Sequence, residues 1–292
     1  MMRYKMTRKL RENLIGYSFI GIWIIGFGVF MLYPFLTSMI YSMSNVRILG
    51  TGIELNFVWL ENFRVIFQRE EGFAFVEALV SFLRELVFQV PIIIVFSVMI
   101  AVLLNQPIKG RGIFRSIFFL PVVISSGPVI NELVSQGAGG ASFMESYSYI
   151  RIIQDTLNPN LAGPIVAIFS EIIIIFWFSG VQILIFLSGL QKIDRQIYEA
   201  ARIDGAGAWE SFWKITLPSL SSLIFVNIIY TIVLLATFSE NAVIVSIKSN
   251  MFNINTGYGV ASAMAWVYFA VVMGIVALTA LAFRPKRWRG ER

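Results

Sequence analysis

No cysteine and no histidine occur among the 292 residues. Without cysteine the chain holds no disulfide, no iron–sulfur cluster and no thiolate nucleophile. Without histidine, a Ser-His-Asp triad, a histidine general base and an HExxH zinc site are all excluded. No lysine directly follows a glycine, so the phosphate-cradling pattern GxxxxGK[ST] is missing too. Charge is scarce: Asp, Glu, Lys and Arg make up 14% of the residues, against about 25% in soluble domains. These absences argue against an enzyme. What is abundant is apolar, 57% of the chain. Such a composition reads first as a membrane protein, with the lipid bilayer as its main partner. The net charge of +6 does not call for nucleic acid. Basic residues in an apolar chain mark the cytoplasmic side of a membrane instead.

Six apolar stretches, at 14–41, 76–104, 113–136, 163–190, 220–247 and 258–283, each reach the ~20 residues that cross a bilayer. The fold expected is therefore an all-α membrane protein of six transmembrane helices. The first stretch is longer than a signal-peptide core and no A-x-A site follows it. It reads as a retained span. Basic residues set the orientation. The tail 1–13, the loop after the second span, the loop 191–218 and the tail 284–292 together hold 17 of the 23 Lys and Arg. The other loops hold five, and Arg84 lies within a span. Both termini are expected in the cytoplasm, with 14–283 as one six-helix domain between two basic tails. The outer loops, 42–75 and 137–162, are long enough to be either spacers or a contact surface for an external partner.

Loop 191–218 carries the most information. Asp194 suits a helix cap, Ala200 and Ala201 favour helix, and Gly205 and Gly207 punctuate it. Residues 208–216 suit a second short helix bearing Trp209, Phe212, Trp213 and Ile215. Pro218 fits the first turn of the next span. Two readings stay open on these grounds: tryptophans seated at headgroup level, or an amphipathic segment docked in a groove of another protein.

The spacing Glu199-Ala200-Ala201, three residues, Gly205, nine residues, Ile215, one residue, Leu217-Pro218 resembles the EAA loop of binding-protein-dependent ABC-importer permeases. The string from Glu199 through Asp204-Gly205 to Ala206 is similar to the sugar-type branch. Phe57-Val58-Trp59-Leu60-Glu61-Asn62-Phe63 and the run from Arg111 to Pro121 resemble further segments of that branch, as does Asn105-Gln106 ending the second span. Three positions depart from the pattern: Trp59 for glycine, Asp194 for proline and Ser81 for asparagine.

The resemblance implies a multi-pass protein of the bacterial plasma (inner) membrane that pairs with a second, homologous permease. It implies two cytoplasmic ABC ATPase subunits that bind ATP and Mg, so this chain carries no cofactor. An extracytoplasmic sugar-binding protein would deliver the substrate, expected to be an oligosaccharide. Glu199, Ala200, Ala201, Asp204, Gly205, Trp209, Phe212, Ile215, Leu217 and Pro218 would couple the chain to the ATPase. A secondary, ion-coupled transporter is the alternative; it would need broken midplane helices or an inverted repeat, and the sequence displays neither.

Charged groups inside spans face a cavity or a partner helix. Arg84, Glu85, Glu132, Glu171 and Glu240 qualify, with the polar Gln89, Asn131, Gln182, Asn227 and Asn241. Carboxylates and amides beside rings suit sugars, since they bond hydroxyls while the rings cover apolar sugar faces. Glu171, Trp177, Gln182, Asn227, Tyr230, Glu240 and Asn241 form the candidate pathway. The competing role for each is a bond between helices.

Overall fold

The computed structural model describes residues 8–49, 52–106, 112–113, 116–117, 158–253 and 256–283. Most of the expected third span, with Asn131 and Glu132, and most of the second outer loop lie outside the described residues. The chain divides into two compact units, 1–78 with 246–269, and 79–245 with 270–292.

The first unit opens with a continuous helical path: α1 (Arg8–Phe27), a π-helical turn (Gly28–Leu32) and α2 (Tyr33–Ser42). Pro34 explains the wider turn. It offers no N–H to the carbonyl four residues back, and its ring crowds that carbonyl. A π turn just before the proline absorbs both defects. Then the path leaves helix altogether. Strands β1 (Ser44–Leu49) and β2 (Gly52–Phe57) form an antiparallel hairpin that pairs Ser44 with Phe57 and Leu49 with Gly52. This corrects the all-α expectation. The cause is local: Ile53-Glu54-Leu55-Asn56-Phe57 alternates with a period of two, which suits a strand. Helix α3 (Glu61–Gln68) follows. The buried Asn62 fastens it to the end of α2 and the start of β1, donating through Nδ2 to Ser42 O (2.9 Å) and Ser44 O (3.0 Å).

Helix α4 (Glu70–Asn105) runs 36 residues, ~54 Å at 1.5 Å per residue. In the second unit, Leu79, Phe82, Leu86, Val90, Ile93, Ser97, Ala101 and Leu104 are buried along it. Every spacing among them is three or four, the signature of a helix packed on one face. Val80, Val87, Ile92, Val95, Met99 and Leu103 are exposed. A helix apolar on its exposed face as well is built for lipid. Arg84 and Glu85 are exposed, and Ser81 donates to Glu85 (3.2 Å).

Helix α5 (Pro159–Leu190) occupies the fourth apolar stretch. Loop 191–218 holds α6 (Arg195–Ile203), α7 (Ala208–Ser211), a second π turn (Phe212–Thr216) and α8 (Leu217–Ser219). Again the π turn ends two residues before a proline, here Pro218. The expected fifth stretch, 220–247, is not one helix. Helix α9 (Ser221–Ala236) stops, residues 237–241 are non-helical, and α10 (Ala242–Met251) begins. Helix α11 (Gly257–Ala282) lies in the last apolar stretch.

Among the described residues, Gly16–Ser42, Gly72–Asn105 and Gly257–Ala282 are long and apolar enough to cross a membrane. Two bent pairs would raise the number to five: Ile175–Leu190 with Arg195–Ile203, at 68°, and Ala208–Ser219 with Ser221–Ala236, at 65°. In each pair the short member carries charge, Arg195, Glu199 and Arg202 in one, Glu210 and Lys214 in the other.

Candidate functional site

The loop between α5 and α9 is built from local bonds. Asp194 caps α6: its Oδ1 accepts from Gln196 N at 3.0 Å. The helix ends in a Schellman motif, with Ala206 N donating to Ala201 O (2.8 Å) and Gly205 N to Arg202 O (3.1 Å). That closure needs a left-handed residue, and Gly205 supplies φ +86°. The spacing from Ala201 to Gly205 is thus the spacing of a helix end, not only a family signature. Past it, the Glu210 carboxylate accepts from Gly207 N (3.3 Å) and starts α7, while Lys214 stands 3.7 Å from Glu210.

This geometry turns an apolar set outward. Ile203 is 87% exposed and Trp209 73%. Trp213 and Ile197 are exposed as well. Trp209 and Phe212 each meet Trp213 edge-on, at 5.5 and 5.3 Å between ring centroids. Glu199, Ala200, Asp204, Gly205 and Pro218 are exposed; Ala201, Phe212, Ile215 and Leu217 are half-buried. Ile197 and Ile203 were not among the sequence candidates. The signal for Ile197 was available: it lies across α6 from Arg195, Glu199 and Arg202, the pattern of an amphipathic helix, whereas Ile203 ends the helix beside Glu199. At the base of the loop, Tyr198 OH and Thr216 Oγ1 lie 2.8 Å apart, a pair that spacing alone could not disclose.

Above the loop, α5 and α9 press together. A Cβ on Gly189 would fall on the tip of the Leu223 side chain, so the glycine leaves room for that leucine against α5. Further along, Gln182 Nε2 donates to Thr231 Oγ1 (2.9 Å), and Thr231 Oγ1 donates to Asn227 O (2.7 Å). All three side chains are fully buried. Yet Gln182 Oε1, both polar atoms of the Asn227 amide, and the Trp177 indole N–H have no partner among the described residues. Buried orphans of this kind each cost about 1–3 kcal/mol, so the cluster is expensive to keep. Ser97 Oγ, on the buried stripe of α4, is another orphan, and the sequence reading passed over it.

The remaining candidates divide. Asn241 splices the break: Nδ2 donates to Leu235 O (3.1 Å) and Oδ1 accepts from Val243 N (2.9 Å), capping α10. Glu240 sits beside it, half-buried. Phe238, also in the break, meets Phe178 edge-on at 5.1 Å. Tyr230 is half-buried on α9. Glu171 belongs to α5, but its side chain lies outside those described. The structure therefore joins Gln182 to Asn227 through Thr231, and places Glu240 and Asn241 together in the break.

The family model described as the binding-protein-dependent transport system inner membrane component matches residues 71–287. The probable ABC transporter permease protein YesP of Bacillus subtilis (strain 168) is 31% identical over 291 residues, 94% of this chain and 92% of YesP. The multiple sugar-binding transport system permease protein MsmF of Streptococcus mutans serotype c is 29% identical over 302 residues, 96% of this chain and 98% of MsmF. A bacterial alginate ABC transporter, solved in complex with an alginate pentasaccharide-bound periplasmic protein, superposes with a TM-score of 0.62. That match has 19% identity and covers 95% of this chain and 96% of that one, so it speaks for the fold. A match through the loop and the helices around it, in a chain with this apolar make-up, leaves one conclusion: the protein is a multi-pass inner-membrane permease of the binding-protein-dependent ABC transport family.

Proposed function

We propose that this permease imports a sugar, most simply an oligosaccharide, handed over by an external binding protein. It would act as one half of a pair with a second permease, above two cytoplasmic ATPase subunits that hold the ATP and Mg. The observation that carries this reading is the loop: two short capped helices around Gly205, presenting Ile203, Trp209 and Trp213 to solvent. Apolar side chains this exposed on charged helices are a docking surface in search of a groove. Glu199, Ala200, Ala201, Asp204, Gly205, Trp209, Phe212, Ile215, Leu217 and Pro218 remain the coupling residues, with Ile203 added.

The proposed topology keeps six spans and both termini in the cytoplasm, because 17 of the 23 basic residues fall on that side. The broken stretch around 237–241 does not revive the ion-coupled alternative, since the family is a permease family. It does give the pathway a site. A helix break at membrane depth is tolerated where protein or a water-filled cavity surrounds it. Glu171, Trp177, Gln182, Asn227, Tyr230, Glu240 and Asn241 are the proposed pathway. A sugar substrate is supported by the name of MsmF. Carboxylates at 171 and 240 favour a neutral sugar over an acidic one. A panel of neutral and acidic oligosaccharides, tested for binding to the cognate external protein, decides between them. Tight binding of uronic-acid chains alone would overturn the neutral assignment.

A further inference from the structure

We infer that Tyr198 and Thr216 are positioning residues that tie the coupling helix to the foot of α9, so that a push on α6 moves α9 instead of bending the loop. The inference rests on the coupling role proposed above and extends it to residues outside the motif.

Helix α6 hangs from α5 by residues 191–194 alone, across a 68° bend. Such a link is a hinge unless something braces it. The brace begins at Pro218. The proline forces the π turn Phe212–Thr216, in which Leu217 N bonds Phe212 O. The turn places the buried Thr216 hydroxyl 3.4 Å from Ser211 O and 2.8 Å from the Tyr198 phenol. Thr216 has one hydroxyl proton. Directed at Ser211 O, it leaves Tyr198 as the donor to Thr216 Oγ1. The phenol projects from α6, one residue before Glu199. One bond therefore joins the helix that bears Glu199-Ala200-Ala201 to the turn that Leu217-Pro218 creates.

Two further ties lie above it. Gly189 lets Leu220 and Leu223 of the α9 side close onto α5. The buried Gln182–Thr231 bond repeats the link deeper along the same two helices. The turn runs into α9 across the 65° bend at Leu220, which is buried and is bonded on both sides, Leu220 N to Thr216 O (3.1 Å) and Ile224 N to Leu220 O (2.8 Å). With these ties in place, α5, α6 and α9 form a braced triangle whose third side is the clasp. Without the clasp, α5 and α9 stay packed and α6 swings freely. Displacement of α6 would then be lost before it reached the break at 237–241.

The chain has no cysteine, which makes the test direct. Val233 is exposed on α9 and belongs to neither the loop nor the pathway. In the reconstituted full complex, a bimane attached to V233C reports displacement of α9 when ATP is added with a hydrolysis-deficient ATPase partner. Y198F and T216V should each cut the ATP-dependent emission change by about five-fold, the factor an ordinary hydrogen bond is worth. The double variant should be no worse than either single one, and T216S should restore the signal. Complex yield and ATPase association should stay unchanged. An undiminished emission change in Y198F and T216V would overturn the clasp. So would loss of ATPase association in both, since the bond would then shape the docking face without transmitting motion. If the parent complex itself binds no ATPase, the coupling reading fails before the clasp is reached.

Discussion

Gly205 allows the backbone and the interface to be tested separately. Its φ of +86° is a conformation that residues with a Cβ rarely adopt. A Cβ built there meets nothing within 4 Å among the described residues. The two costs of a larger residue are therefore separable. Backbone strain comes first and is similar for alanine and leucine, about 1–2 kcal/mol. That lowers the closed fraction of the Schellman turn by roughly 5- to 30-fold. Any clash comes second, and only a docked partner can cause it. Gly205→Asn keeps left-handed backbone at lower cost and adds a small side chain. The expected order of transport in proteoliposomes is Gly, then Asn, then Ala, with Leu abolished. Membrane insertion should be equal in all four, because the strain is confined to a solvent-facing turn. ATPase co-purification should fall in Leu beyond its fall in Ala. Equal loss in Ala and Leu would show that position 205 faces no partner, and full transport by Leu would remove the loop from the coupling path.

Single cysteines at 196–212 should react with impermeant maleimide only from the cytoplasm, and those at 48–56 and 145–158 only from outside; external labelling at 204 would refute the topology. Asn227→Leu removes two orphaned buried polar atoms, so the purified complex should melt no lower and even gain up to about 1–3 kcal/mol. Its transport should nevertheless drop at least about ten-fold, the factor that 1.4 kcal/mol of lost contact sets. Normal transport would make the amide structural ballast. Glu171→Gln keeps shape and loses charge; transport should fall while basal ATP hydrolysis and complex yield hold. A drop in yield instead would assign Glu171 to helix packing.

Much of the loop was legible in advance because its rules are local. A cap at Asp194, a stop at Gly205 and a restart before Trp209 follow from residue chemistry within a few positions. The hairpin is legible too, in the alternation from Ile53 to Phe57, although five residues of alternation weigh little beside an apolar composition that favours helices. The break at 237–241 escaped for a different reason. Apolar residues flank Thr237-Phe238-Ser239-Glu240-Asn241 on both sides, and a hydropathy window averages across them. In hindsight Asn241 two residues before Val243 is a helix-start signal. The Gln182–Thr231 bond and the Tyr198–Thr216 clasp were beyond reach. Each depends on how two helices face one another, which no periodicity in a single chain states.

The break carries a consequence for how the protein is made. On the proposed topology, α9 and α10 must cross the bilayer between them. Their 16 and 10 residues give ~24 Å and ~15 Å, and neither spans the ~30 Å of hydrocarbon alone. Thr237 returns its hydroxyl to Val233 O at 2.8 Å, and Asn241 serves both helix ends. The backbone adds Thr237 N to Val233 O (2.9 Å) and Asn241 N to Phe238 O (3.0 Å), so the break draws bonds from its own neighbours. Lipid supplies none to a backbone group left over. Insertion of this segment is therefore expected to cost less once protein covers 237–241 than while lipid does.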